Sequence, residues 1–279
     1  AVEAAEHHLI TPILIGPEDK IRAIAAQEHL DLTPYRLVPT EHSHHSAELA
    51  VAMVLSGEAQ TLMKGSLHTD ELLAEVVKKV GGLRTERRIS HCFLLSVPNF
   101  PRPIIITDAA INIAPTLEDK HNIIQNAIDL AHAIGIAEPK VAILSAVETV
   151  TNKIPSTLEA GALCKMADRG QITGGILDGP LAFDNAIDER AARTKGIVSP
   201  VAGKADILVV PDLEAGNMLA KQLTFMAGAE AAGIVLGARA PIVLTSRADG
   251  PQARLASCAV AVLFAEAQRK GAVLLKTGG

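Results

Sequence analysis

Short, nearly continuous apolar runs alternate along this chain with longer segments whose apolar positions return at helical spacing. The runs fall at residues 11–16, 35–39, 61–66, 88–97, 103–108, 140–146, 172–180, 207–211, 233–238 and 241–246. Runs without polar interruption are the pattern of strands covered on both faces, as in parallel sheets flanked by helices. The intervening segments predict helices over residues 2–9, 17–29, 42–57, 69–79, 116–133, 155–168, 182–195, 213–227 and 251–270. Thr69, Thr116 and Asp212 stand where a helix needs a cap, Pro155 and Pro251 suit a first turn, and Gly57 and Gly228 suit a stop. Helix 69–79 is expected to turn Leu72, Leu73, Val76, Val77 and Val80 inward, and helix 213–227 Leu213, Met218, Leu219, Leu223 and Met226. The alternation predicts an α/β fold of parallel strands with covering helices. The short loop PNFPR between 88–97 and 103–108 predicts a hairpin, hence one antiparallel pair.

Composition sharpens this picture. The chain has 279 residues, enough for one large or two medium domains. Aromatics make up 2% and Trp is absent, so the core is Ala, Val, Ile and Leu, which suits closely packed helices on a sheet. The net charge of −5 argues against nucleic-acid or anionic-membrane partners, which select basic surfaces. No apolar span of about 20 residues and no signal-peptide pattern occurs. Cys92, Cys164 and Cys258 are far apart with no CxxC, so neither a zinc site nor a disulfide framework is indicated. These features predict a cytoplasmic protein. The chain opens with Ala in the course of a helix, which fits a piece of a longer protein.

Candidate chemistry collects at strand ends, because ligands of open α/β sheets sit at carboxyl ends of strands, and in a parallel sheet those ends share one side. The polar ends are Lys64-Gly65-Ser66-Leu67-His68-Thr69, Thr107-Asp108, Ser145 to Glu148, Asp178-Gly179, Pro211-Asp212 and Ser246-Arg247 with Asp249. The first joins a cation and small residues to a helix start, which either binds a phosphate or is an ordinary β–α turn. Ser246, Arg247 and Asp249 offer a hydroxyl, a planar cation and a carboxylate: an oxyanion and phosphoryl site, or a capped helix with an ion pair. Asp108 and the nearby Asn112 either meet a ligand or close their own turn. His68 and His91 stand near element ends as proton carriers or structural side chains. The basic run 84–88 either draws a polyanion or is a solvated turn. His42, His44 and His45 read as a wet helix start, and no metal site is indicated. Neither GxGxxG nor GxxxxGK[ST] is present, which counts against a dehydrogenase or a P-loop protein.

Seven segments in order, LMKGSLHTDELL (62–73), RRISHCF (87–93), ITDAAINIAPT (106–116), ILSAVETV (143–150), GPLAFDNAI (179–187), ADILVVPDLEAGNMLAKQL (205–223) and PIVLTSRADG (241–250), resemble the phosphate acetyltransferase/phosphate butyryltransferase family. The wording is most similar to the phosphotransacetylase part of proteins that also carry an enoyl-CoA hydratase-like domain. The resemblance implies two α/β/α domains about a central cleft, similar to isocitrate and isopropylmalate dehydrogenases, with one domain from 1–86 and 239–279 and the other from 87–238. It implies a homodimer that transfers an acyl group, acetyl favoured, from an acyl phosphate to coenzyme A, with CoA as substrate and no cofactor. Ser246, Arg247 and Asp249 would be catalytic, and Lys64, Gly65, Ser66, His68, Thr69, Asp108 and Asn112 would bind substrate. Ala253 stands where the acetyltransferase branch carries an Asp, and 69–77 lacks that branch's Arg; both features are similar to the butyryltransferase branch. A non-catalytic acetyl-CoA sensor, as in domains fused to malic enzymes, is the alternative.

Overall fold

The computed structural model describes residues 1–244, 250–273 and 275. After a short helix Val2–Glu6 (α1), strand Ile13–Gly16 (β1), helix Glu18–Gln27 (α2) and strand Arg36–Pro39 (β2) form a parallel two-stranded unit. Helix Ser43–Leu55 (α3), strand Leu62–Met63 (β3) and helix Thr69–Val76 (α4) follow. The hairpin Ser90–Ser96 (β4) and Ile104–Thr107 (β5) leads to Leu117–Ala133 (α5), Lys140–Leu144 (β6), Pro155–Asp168 (α6) and Ile176–Leu181 (β7). Two short helices, Phe183–Ile187 (α7) and Glu189–Thr194 (α8), precede Ile207–Val209 (β8), Leu213–Met226 (α9), Glu230–Leu236 (β9), Ile242–Val243 (β10) and Pro251–Arg269 (α10).

The described residues build an eight-stranded sheet in the order β3-β10-β9-β4-β5-β8-β6-β7. The expected hairpin is there: β4 pairs β5 antiparallel, Cys92 opposite Thr107. The antiparallel character goes further, because β9 also pairs β4 antiparallel and β10 pairs β9 antiparallel, while β3 joins β10 in parallel. Strands β3 and β10 therefore run opposite to β5, β6, β7, β8 and β9. The carboxyl ends do not all share one side, contrary to the expectation from a parallel sheet. A run buried on both faces looks alike in either direction, so direction is absent from the apolar pattern.

Alternation within the runs explains the two-sided burial. Ile105, Val141, Ile143, Ile207 and Val209 pack on one face with Ile124 and Ile128 of α5, Leu163 of α6 and Phe264 of α10. Ile104, Ile106, Ala142, Leu144 and Leu208 pack on the other with Ala186 of α7, Ala192 of α8 and Leu219 and Leu223 of α9. A third cluster joins Ala47 and Val51 of α3, Leu72 and Val76 of α4, Leu83, Val235 and Ile242.

Several helices depart from the sequence reading. Helix α4 stops at Val76 because the chain folds back and Leu83 N donates to Val76 O at 2.8 Å. Leu83 takes the core place, so Val77 and Val80 stay exposed, at 40% and 89%. The helix expected over 182–195 breaks at Asp188, whose extended backbone and carboxylate, accepting from Ala191 N, restart it as α8. In α9 the small residues Gly216 and Ala220 face the sheet, while Met218 and Met226 turn outward. A Cβ on Gly216 would lie 2.7 Å from Val210 Cγ2 and 3.0 Å from Asp108 O, so only glycine permits this approach. The caps at Thr116 and Asp212 form as expected, the first as a reciprocal capping box with Asp119. The cap position of α4 is His68, not Thr69, and its side chain makes no capping bond. Gly216→Val is expected to lower unfolding free energy by about 1–3 kcal/mol through overpacking, read as a reduced midpoint in urea at unchanged slope.

Candidate functional site

The turn after β3 is built outward from the edge strand of the sheet, which pairs with β10 alone. Lys64 N donates to Val243 O at 3.0 Å, extending the β3–β10 pairing by one residue. Lys64 Nζ reaches Gly65 O and Leu67 O, both at 3.2 Å, so the ammonium is held over its own turn. Gly65, Ser66 and His68 are exposed, and Thr69 begins α4 half-buried. A Cβ on Gly65 would meet nothing within 4 Å, so packing within the chain does not demand glycine there.

Beside this turn lies the exit of β10. Leu244 is the last described residue before 245–249, so Ser246, Arg247 and Asp249 lie outside the described residues. Description resumes at Gly250, the cap position of α10. That helix is fixed close by: Gly233 N of β9, past the short β10, donates to Ser257 Oγ at 3.0 Å, and Cys258 Sγ lies 3.7 Å from Met63 Sδ. Ser257 thus ties α10 to β9, a bond that sequence reasoning missed; its only signal is a hydroxyl on the apolar stripe of α10. Leu67, Leu244 and Ile111 all pack against the α3–α4 core cluster, so the 64–69 turn, the β10 exit and the 106–116 loop share one apolar footing.

The 106–116 loop is self-contained. Asp108 is buried, and its carboxylate accepts from Ala110 N, Ile111 N and Asn112 N at 2.9, 3.0 and 3.2 Å and from Asn112 Nδ2 at 2.6 Å. Asn112 Nδ2 also donates to Ile89 O at 2.9 Å, and its Oδ1 accepts from Arg88 Nε at 2.8 Å. Asn217 of α9 adds a bond to Ala109 O. Of the two readings for Asp108, the structure realises the turn-closing one. The basic run likewise serves the fold: Arg87 pairs with Asp129 at 3.5 Å and Arg88 with Asp119 at 3.3 Å, fastening the entry of β4 to α5. Burial pushes the Asp129 carboxyl above its usual range, against the pull of Arg87.

The remaining candidates also find partners. Ser145 Oγ lies 2.8 Å from Ser156 Oγ, Asp178 accepts from Gly179 N, and Glu148 is bonded by Asn185 and Lys195. His91 is buried with its ring edge-on to Phe93, centroids 4.3 Å apart. His42 caps α3 by accepting from His45 N. Burial pushes the thiols of Cys92 and Cys164 up to about 12, so neither is a thiolate nucleophile at neutral pH. Among the described residues no group of three or more His, Cys, Asp or Glu is arranged for a metal, and no helix is long and apolar enough to cross a membrane.

Fold and site together define a mixed-sheet α/β protein with a lysine turn beside the exit of an antiparallel strand. A family model described as phosphate acetyl/butaryl transferase matches residues 41–262, and the chain belongs to that family. It is 66% identical over 273 residues to a phosphate acetyltransferase of Rhizobium meliloti, covering 98% of this chain and 86% of that protein. It is 42% identical over 263 residues to a phosphate butyryltransferase of Clostridium acetobutylicum, covering 94% and 87%. Among solved structures, a branched-chain phosphotransacylase from Enterococcus faecalis is similar with a TM-score of 0.80 at 30% identity, over 92% of this chain and 99% of that one.

Asp108→Ala strips the acceptor from three amides and one carboxamide in a buried loop. Several kcal/mol of stability should be lost at about 1–3 per unsatisfied buried donor, visible as a large drop in the thermal midpoint. A drop no larger than that of an exposed Asp→Ala control would refute the structural role.

Proposed function

We propose that this chain is a phosphate acetyltransferase, moving an acetyl group from acetyl phosphate to the thiol of coenzyme A. The single observation that carries this reading is the bond from Lys64 N to Val243 O, which ties the lysine turn to the strand leading into Ser246 and Arg247. Covalent connection keeps Ser246 within about 8 Å of Leu244, at about 3.8 Å per residue. The identity to acetyltransferase relatives supports acetyl as the acyl group.

In this reading Arg247, Lys64 and the amides of residues 65–69 hold the phosphoryl oxygens. A carboxylate, Asp249 as first candidate, takes the thiol proton, and the thiolate attacks the acyl carbon. Ser246 donates to the oxyanion that forms. The C–S bond forms, the C–O bond to phosphorus breaks, and the proton ends on the departing phosphate. Coenzyme A enters as a substrate, and no step is routed through a metal or cofactor. Ser66, His68 and Thr69 line the phosphate turn, while Asp108 and Asn112 act by holding the adjoining loop. The chain segments 1–86 with 239–279, and 87–238, would make the two lobes. A homodimer would cover the apolar surface of Met218, Phe225 and Met226 on α9, which are 65%, 74% and 81% exposed. The three free thiols suit the cytoplasm.

Thioester absorbance on mixing acetyl phosphate with CoA tests the reading, and no turnover with acetyl, propionyl or butyryl phosphate would sink it. Calorimetric CoA binding without turnover would instead favour the acetyl-CoA sensor, which Ala253 at the acetyltransferase Asp position suggests. Ser246→Ala should lower kcat by about 100-fold with little change in KM. Arg247→Ala should chiefly raise the acetyl phosphate KM. Gly65→Val should raise the same KM at an unchanged melting temperature, since its Cβ faces open space. Phe225→Asp combined with Met226→Asp should yield monomer in light scattering.

A further inference from the structure

The apolar side chains beside the lysine turn have a chemistry of their own. Leu67, Leu244 and Ile111 come from three separate segments, and all three are half-buried against the α3–α4 cluster. Backbone hydrogen bonds fix each of them. Leu67 O accepts from Lys64 Nζ at 3.2 Å. Leu244 follows Val243, whose carbonyl accepts from Lys64 N at 3.0 Å. Ile111 N donates to the buried Asp108 carboxylate at 3.0 Å. Asp108 and Asn112 spend their polar atoms inside the 106–116 loop and on the entry of β4, so the contribution of Ile111 is apolar.

In an acyl phosphate the acyl carbon is separated from phosphorus by a single bridging oxygen. With the phosphoryl group at the lysine turn, as in the acyl transfer reading on which this rests, the acyl tail lies against the apolar atoms nearest that turn. We propose that Leu67, Leu244 and Ile111 form the wall that limits the acyl chain and so sets the preference for acetyl.

Branched side chains backed by a packed cluster cannot retreat without disturbing what lies behind them, so a longer tail has to displace them or stay outside. Truncating one of them makes room. Leu→Ala removes more carbon than butyryl adds to acetyl. A hydrophobic pocket tells chains one methylene apart by only about 10–200-fold, so the wall sets a preference and not an absolute choice.

The test assays the full chain and its variants with coenzyme A and acetyl, propionyl or butyryl phosphate, and reads the butyryl-to-acetyl ratio of kcat/KM. Leu67→Ala and Ile111→Ala should each raise that ratio by at least about tenfold. Ile111→Val, a smaller truncation that spares the fold, should raise it by a smaller factor. Leu83→Val loosens the same cluster from the far end of α4, about 12 Å along a helix of 8 residues. It should lower the melting temperature and leave the ratio where it was. An unshifted ratio in the Ile111 and Leu67 variants, an equal shift in Leu83→Val, or a preference for butyryl in the unaltered chain would overturn the wall while acyl transfer itself stands. Failure of the unaltered chain to turn over any of the three acyl phosphates would overturn both.

Discussion

The antiparallel ladder between β4 and β9 is the constraint on which the rest depends. It runs without a break from Ser90 opposite Leu236 to Ser96 opposite Glu230. It sits mid-sheet and reverses strand direction there. Five strands then point one way, while β3, β4 and β10 point the other. At the sheet edge residue 64 meets residue 243, a contact that no local propensity would favour and that carries the closure entropy of a loop of about two thirds of the chain. The burial of Cys92, Ile234 and Leu236 in the same ladder is what offsets it.

Polar residues at the strand ends divide by what they do with their hydrogen bonds. The Asp108 carboxylate is saturated by its own loop, and Asn112 uses both ends of its amide to tie that loop to β4. Arg87 and Arg88 spend their charges on α5. Such groups are positioned to be rigid, since a buried donor or acceptor left open costs far more than a satisfied one gains. The 64–69 turn differs: exposed small residues, a glycine facing open space and an ammonium folded over backbone carbonyls leave room for something outside the chain.

Element existence was legible in the sequence because it depends on near neighbours. The apolar runs located the strands, Thr116 and Asp212 located helix starts, and the PNFPR loop located the hairpin. The family was legible too, since seven segments in order carry far more information than any one residue. Functional roles were less so. Asp108 looks identical in the sequence whether it faces a ligand or its own amides, and Ser257 is a lone hydroxyl on an apolar helix until Gly233 is placed beside it.

What the sequence alone determined was the set of α/β elements, the caps at Thr116 and Asp212 and the buried stripe of most helices, all set by interactions within a few residues. Tertiary structure alone decided strand direction, the turning back at Leu83 that leaves Val80 in solvent, and the outward rotation of Met218 and Met226. The physical reason is the same in each case. Several side chains of similar hydrophobicity compete for one place in the core, and which of them fits is settled by shape and by partners distant in the chain, as where Gly216 lets α9 close on Val210.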